Sequence, residues 1–341
     1  MIKPLTSLRF IFALMVFAAH CYVIDPHFSH FLYKEGFVGV SFFFVLSGFI
    51  IAYNYQRKFE SKSISRREFW IARFARVYPL HIATLMLYPL VGGALLAMNW
   101  DTVLKLVSQL FLVHPFIPQT DYFFAFNSPS WSLGCEQLFY FLFPFLALWL
   151  SDTRKLFWTL IATGLIVACG MYFTPEEQIR AYWYVNPLTR LPDFLVGMLL
   201  FELYNKSTGN WSVNRATWFE IGAVALFIAF YYCGSAGVLP KVYRYSVYYW
   251  LPVSLLLYVF AINKGMISRF LSNKYLVIGG DISYAMYLIH LFIIELYKST
   301  GWNYPWQIVI PILLLITICC SLLSYRYFEK PVNKYIRKHL K

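Results

Sequence analysis

The chain has 341 residues, of which 60% are hydrophobic, 21% aromatic and only 13% charged. A soluble domain carries roughly twice that charged fraction, and no polar block separates the apolar runs, so composition excludes a soluble globular class and predicts a polytopic membrane protein. The net charge of +13 does not indicate a nucleic-acid partner, because nearly all Lys and Arg fall in short segments between apolar runs, as membrane topology requires.

A helix needs about 17–25 predominantly apolar residues to cross the hydrocarbon layer. Ten segments qualify: 6–24, 36–55, 77–98, 130–150, 156–173, 187–204, 217–234, 247–263, 281–298 and 307–327. The first follows Lys3 as a secretory leader would. In Ala18-Ala19-His20-Cys21, however, His20 stands where cleavage needs a small residue, so the segment reads as an uncleaved span. With the N-terminus inside, the inside segments hold 20 Lys and Arg and the outside segments six: Lys34, Lys105, Arg180, Lys241, Arg244 and Lys298. The expected class is an all-α polytopic membrane protein of about ten transmembrane helices, N-in and C-in, with residues 1–341 forming one integral-membrane domain.

Between the spans, residues 56–76 read as a basic cytoplasmic loop. Residues 101–115 are apolar at helical spacing but too short to span, which predicts an interfacial or re-entrant helix. The six cysteines lie in or at the ends of apolar runs without metal spacing and read as small buried hydrophobes. No P-loop, GxGxxG or HExxH pattern occurs.

Ionisable residues inside spans are costly in lipid, so they face a bundle interior or cavity. Arg9 and His20 are eleven residues apart, three helical turns, which places them on one face separated by roughly 16 Å along the axis. Spacing alone admits a snorkelling arginine and a hydrogen-bonded core histidine as readily as a site. Ser132, Glu136 and Tyr140 share a face at i, i+4, i+8; Glu136 must be paired, hydrogen-bonded or protonated. Arg190 and Asp193 at i, i+3, followed by Gly197, read as a structural ion pair with a packing glycine. Asp281 reads as an N-cap, with Ser283, Tyr287 and His290 along one face of the helix it would open. Arg326 and Glu329, before Pro331, read as interface anchors. Arg73 and Arg76 at i, i+3 suit a phosphate, although most such pairs only obey the positive-inside rule.

Taken together, Arg9-x10-His20, the Ser41–Ile50 run, Arg73-x-x-Arg76, the WSL-x-x-E-x-x-FY pattern of 131–140, the Gly280–His290 stretch and the terminal YRYFEKP resemble the membrane acyltransferase-3 family over essentially the whole chain. That family includes bacterial O-acetyltransferases of lipopolysaccharide O-antigen and other surface polysaccharides. The resemblance implies ten helices in a bacterial inner membrane, a cytoplasmic acyl-CoA donor (acetyl-CoA above all) with no tightly bound cofactor, and a carbohydrate hydroxyl, often lipid-linked, as acceptor. It matches Arg9 and His20 to the family's essential pair, Arg73 and Arg76 to its acyl-CoA phosphate contacts, and Glu136 and Glu329 to acidic positions. The chain ends soon after the last span and is expected to act without an appended extracytoplasmic domain.

Moving an acyl group from a thioester to a hydroxyl needs a base or an acyl-accepting nucleophile, and imidazole serves as either. Charge stabilisation at the developing oxyanion completes the requirement. The working assignment makes His20 the base or transient acyl carrier, with Glu136 orienting it. A rival reading is a secondary transporter using the buried charges as a relay. It predicts paired halves with interrupted helices, and the sequence has no such pairing. A scaffold role leaves the buried ionisable groups unexplained.

Overall fold

The computed structural model describes residues 2–26, 34–92, 99–149, 152–207 and 210–340. Among them the chain is helical with no strands. The long helices are α1 (Lys3–His20), α2 (Val38–Glu60), α3 (Arg66–Gly92), α4 (Trp100–Leu110), α5 (Trp131–Trp149), α6 (Thr153–Phe173), α7 (Pro187–Lys206), α8 (Val213–Ser235), α9 (Val247–Ile262), α10 (Lys274–Ser299) and α11 (Trp306–Ser324), which runs through a π-turn at Tyr325–Glu329 into α12 (Lys330–His339). Among the described residues eight helical stretches are long and apolar enough to cross a bilayer. The two other expected spans fall on α3 and α7. These are the helices that carry the charge: α3 opens with Arg66, Arg67 and Glu68, and α7 contains Arg190, Asp193 and Glu202. Residues 93–98 of the expected third span lie outside the described residues.

Large apolar side chains such as Trp149, Trp158, Ile166, Phe173 and Trp218 are exposed, while Glu35, His81, His114, Arg190, Asp193 and Glu220 are fully buried. A surface of this kind suits hydrocarbon rather than water, and the protein is a multi-pass membrane protein.

Two glycine-mediated crossings set the arrangement. A Cβ on Gly48 of α2 would lie 2.0 Å from the Phe194 carbonyl oxygen, and one on Gly197 of α7 2.0 Å from that of Val45. The absence of side chains there lets the α2 and α7 backbones touch, which is how helices associate where no hydrophobic effect drives them together. The buried Arg190–Asp193 pair, at 2.9 Å, reinforces this corner. Arg190 also donates to Ser41 Oγ at 2.8 Å and to the Tyr245 carbonyl. Asp193 accepts from Ser246 at 2.9 Å and from the Trp250 indole. The structural reading of this pair stands.

The second crossing joins α1 and α10. A Cβ on Gly280 would lie 1.8 Å from the Thr6 carbonyl oxygen, and one on Gly279 would meet the Phe10 ring at 2.6 Å. This corrects the reading of Asp281 as an N-cap. The helix begins at Lys274 with Asn273 as its cap, accepting from Tyr275 N at 2.9 Å. The glycines mark a close approach of backbones inside the helix, not its start.

The basic stretch 56–76 is likewise not a loop. α2 continues to Glu60 and α3 starts at Arg66, leaving a turn at 61–65 and placing Arg73 and Arg76 within α3. The short helix expected near 101–115 is α4. It exposes Trp100, Leu104, Val107 and Phe111 along one stripe and buries Ser108 and Gln109, the amphipathicity of an interfacial helix. Lys105 ties it to the following segment by bridging Asp101 at 2.6 Å and Asp121 at 2.8 Å.

Candidate active site: two adjoining cavities

The site is built from α1, α2, α3, α5 and α10. A first cavity, about 180 Å³, is lined by Arg9 of α1, Ser47 of α2, Arg73 and Arg76 of α3, Ser132, Glu136 and Tyr140 of α5, and Ser283, Tyr284 and Tyr287 of α10, among apolar neighbours. The i, i+4, i+8 face of α5 is therefore the face turned to this space. Three guanidiniums from two helices converge on it. Arg9 lies within electrostatic reach of Glu136, Asp281, Tyr140 and Arg76.

The hydrogen bonds show how each side chain is held. Glu136 accepts from Tyr140 OH at 2.8 Å, a bond made within one helix by the four-residue spacing. Arg73 donates to Tyr55 OH at 3.1 Å, and its Nε is buried without a partner among the described residues. Arg76 donates from Nη1 to Glu329 Oε2 at 3.2 Å, its guanidinium lying 5.5 Å from the Tyr284 ring centre. Glu329 thus pairs with Arg76 and not with its sequence neighbour Arg326, which is exposed over Tyr327. An arginine with an unsatisfied buried N–H and two further cations beside it form a site with anion-binding capacity, in which Arg supplies planar, bidentate donors.

His20 does not line this cavity. It lines a second one of about 230 Å³, with Val16, Phe37, Phe124, Ser128, Trp131, Arg180, Tyr184, Lys241 and Tyr245 among its walls. Val40 and Tyr287 line both cavities and form the partition between them. His20 Nδ1 lies 2.9 Å from the Val16 carbonyl oxygen and 3.2 Å from His290 Nε2. The expected orienting contact from Glu136 is not among its partners, since Glu136 faces the first cavity.

The structure therefore brings Arg9, Glu136, Arg73 and Arg76 together and sets His20 next door, beyond Tyr287. The sequence places His290 on a face with Ser283 and Tyr287 and marks no role for it. The available signal was a histidine within a span, which in lipid is a functional candidate by default. The sequence marks no role for Tyr287 and Val40 either, and nothing in an apolar run singles out a valine.

The chain matches, over residues 3–326, the profile of a family described as an acyltransferase domain. It is 30% identical to the acyltransferase MdmB of Streptomyces mycarofaciens, across 86% of this chain and 79% of that protein. It is 27% identical to the O-acetyltransferase OatA of Staphylococcus aureus strain NCTC 8325, and 28% identical to a putative O-acetyltransferase of strain COL, in each case across 88% of this chain and 53% of the relative. The chain thus spans about half the length of these staphylococcal relatives. No solved structure matches it.

Proposed function

The chain belongs to this acyltransferase family, and from that premise we propose that it is a membrane O-acyltransferase, moving an acetyl group from cytoplasmic acetyl-CoA to a hydroxyl of a surface or lipid-linked carbohydrate. The observation that carries the proposal is the pairing of a cavity walled by Arg9, Arg73 and Arg76 with a second cavity walled by His20, the two abutting at Val40 and Tyr287. In this reading the ten apolar segments all span a bacterial inner membrane, N-in and C-in. The arginine cavity then opens towards the cytoplasm and the His20 cavity towards the far side, as the 20-to-6 charge asymmetry favours.

Coenzyme A has an anionic nucleotide end and a long, thin pantetheine arm. Arg73, with its spare donor, and Arg76 hold the phosphates, Arg9 adds positive charge deeper in, and the arm extends past Tyr287 to set the thioester beside His20. The acceptor enters the second cavity, where Trp131, Tyr184 and Tyr245 offer aromatic faces to a sugar ring and Arg180 and Lys241 add positive charge to the walls. The hydroxyl oxygen attacks the thioester carbonyl as its proton passes to His20. The C–S bond then breaks, and the proton leaves with the CoA thiol. In a covalent route the imidazole nitrogen of His20 displaces the CoA thiolate to form an N-acetyl bond, and the acceptor hydroxyl then breaks that bond as its proton leaves, regenerating the imidazole. Glu136 offsets the three guanidiniums and keeps Tyr140 fixed, a positioning role in the donor cavity rather than at the imidazole.

The test uses the purified protein in proteoliposomes with [14C]acetyl-CoA on the arginine side and a lipid-linked oligosaccharide in the bilayer. Alkali-labile label on the glycan supports the proposal. Movement of the glycan across the bilayer without ester formation identifies a transporter and overturns it.

A further inference from the structure

We infer that His290 is a positioning residue that accepts the Nδ1–H of His20, in the tautomer the Val16 carbonyl also requires, so that the two imidazoles form a relay whose free lone pair is His20 Nε2 at the wall of the second cavity. The inference rests on the reading of His20 as the base and assigns a task to a residue outside the cavities' walls. His290 is 1% exposed in the middle of α10. Its Nδ1 lies 3.0 Å from the Met286 carbonyl oxygen, its Nε2 lies 3.2 Å from His20 Nδ1, and the ring centres are 4.9 Å apart at 60°. His20 Nδ1 is also 2.9 Å from the Val16 carbonyl oxygen.

A carbonyl oxygen can only accept, so the two carbonyls decide the protonation of both rings. Next to Met286 O, His290 Nδ1 must carry a proton, and its Nε2 is left bare. Next to Val16 O, His20 Nδ1 must also carry a proton, which it shares with the bare Nε2 of His290. The reverse arrangement sets lone pairs against lone pairs at both carbonyls. A doubly protonated His290 sets N–H against N–H. One pattern satisfies every contact, and in it His20 has Nδ1 occupied and Nε2 bare. Since His20 lines the second cavity and His290 does not, Nε2 is the nitrogen available to a hydroxyl.

An acceptor behind a histidine base is the arrangement in which hydrolytic triads use a carboxylate to hold the tautomer and stabilise the imidazolium. Inside a membrane a buried carboxylate is costly, and among the described residues no carboxylate is a hydrogen-bond partner of either ring; Phe17 and Tyr287 pack against His290 instead, with ring centres at 6.3 and 6.1 Å. A neutral imidazole supplies the acceptor without that cost. When His20 takes the hydroxyl proton on Nε2, the positive charge strengthens its Nδ1–H bond to His290 Nε2, which spreads charge at the moment it forms. The crossing at Gly280 and Thr6 aligns α1 with α10 so that the two rings meet.

The experiment uses the full-length protein with 15N-labelled histidine in nanodiscs. Imidazole nitrogen shifts report the tautomer directly, and loss of one set in His20→Asn assigns it. In the wild type His20 Nε2 is expected unprotonated, and in His290→Leu the His20 Nδ1 resonance is expected to shift as its hydrogen bond to the second imidazole is lost. In acetyl transfer His290→Leu should lower kcat by about 10²-fold with KM for acetyl-CoA within about threefold, because the imidazolium forming at His20 loses the acceptor that spreads its charge. His290→Gln places an amide oxygen where it can accept the His20 N–H and should recover about tenfold of that loss. A wild-type His20 protonated on Nε2, or a His20 Nδ1 resonance unchanged in His290→Leu, overturns the inference whatever the activity. Normal transfer by His20→Ala instead removes the reading of His20 as base, and the nitrogen shifts decide the pairing separately.

Discussion

Arg76 and Glu329, 253 residues apart, are joined by a 3.2 Å ion pair that fastens α3 to the π-turn after α11. The Glu329 side chain is 4% exposed and that of Arg76 30%, so the carboxylate depends on this contact more than the guanidinium does. Part of Arg76's charge is thus already committed, whereas Arg73 one turn away has no ion pair among the described residues: it donates to the Tyr55 hydroxyl and lies over the Tyr55, Phe69 and Tyr140 rings.

The two arginines should therefore differ when removed. Arg73→Ala should raise KM for acetyl-CoA by about tenfold or more, as expected for a lost charge-assisted contact of about 1.5–3 kcal/mol. Arg76→Ala should raise KM less but lower stability by about 1–3 kcal/mol, because it strands a buried carboxylate. Donor titration and thermal unfolding of both variants check this; equal KM effects with unchanged melting would contradict it.

Glu136 shares the first cavity with three guanidiniums and accepts from Tyr140. Glu136→Gln keeps the shape and the hydrogen-bonding oxygen but removes the charge, so it should lower turnover by about tenfold or more while leaving acetyl-CoA affinity within a few-fold. Single-turnover rates at saturating donor separate the two quantities. Unchanged turnover would reduce Glu136 to a structural partner of the arginines.

The α2–α7 contact predicts a sharp contrast among glycines. Gly197→Ala places a methyl group against backbone atoms of α2 and should cost at least about 1–3 kcal/mol, as overpacking does when neither side can yield. Gly222 in α8 has open space around it, and Gly222→Ala should leave the melting temperature unchanged or slightly raised. A Gly197→Ala protein that melts with the wild type would show that the helices do not approach so closely.

Orientation is tested at the turn between α2 and α3. In a cysteine-free background, Ser61→Cys should react with an impermeant maleimide only from the cytoplasmic side. Reaction from outside intact cells would invert the arrangement and with it the direction of donor entry.

Much of the architecture was legible because apolar length and charge placement are local properties. The segments 156–173, 217–234 and 281–298, for example, all fall on helices. Their ends were less legible, since apolarity measures hydrocarbon and not helix: α2 and α3 run on through the charged stretch 56–76, and α10 starts seven residues before Asp281. The Arg190–Asp193 pair was readable from one helix's spacing. The His20–His290 contact, spanning 270 residues, was not, because it depends on how closely α1 and α10 cross at Gly280. For the same reason the sequence does not separate Glu136 from His20, whose helices turn them to adjoining cavities.

The central claim, that donor binding resides in the arginine cavity and chemistry at His20, is tested most directly by His20→Ala. The measurement is acetyl-CoA affinity by calorimetry together with single-turnover acetyl transfer at saturating donor, on protein that retains the wild-type melting temperature. The account predicts a dissociation constant within about threefold of wild type and a transfer rate lower by about 10²–10⁴-fold, the contribution of a positioned base. Weak donor binding with a normal transfer rate at saturation would contradict it and place His20 in the donor path instead.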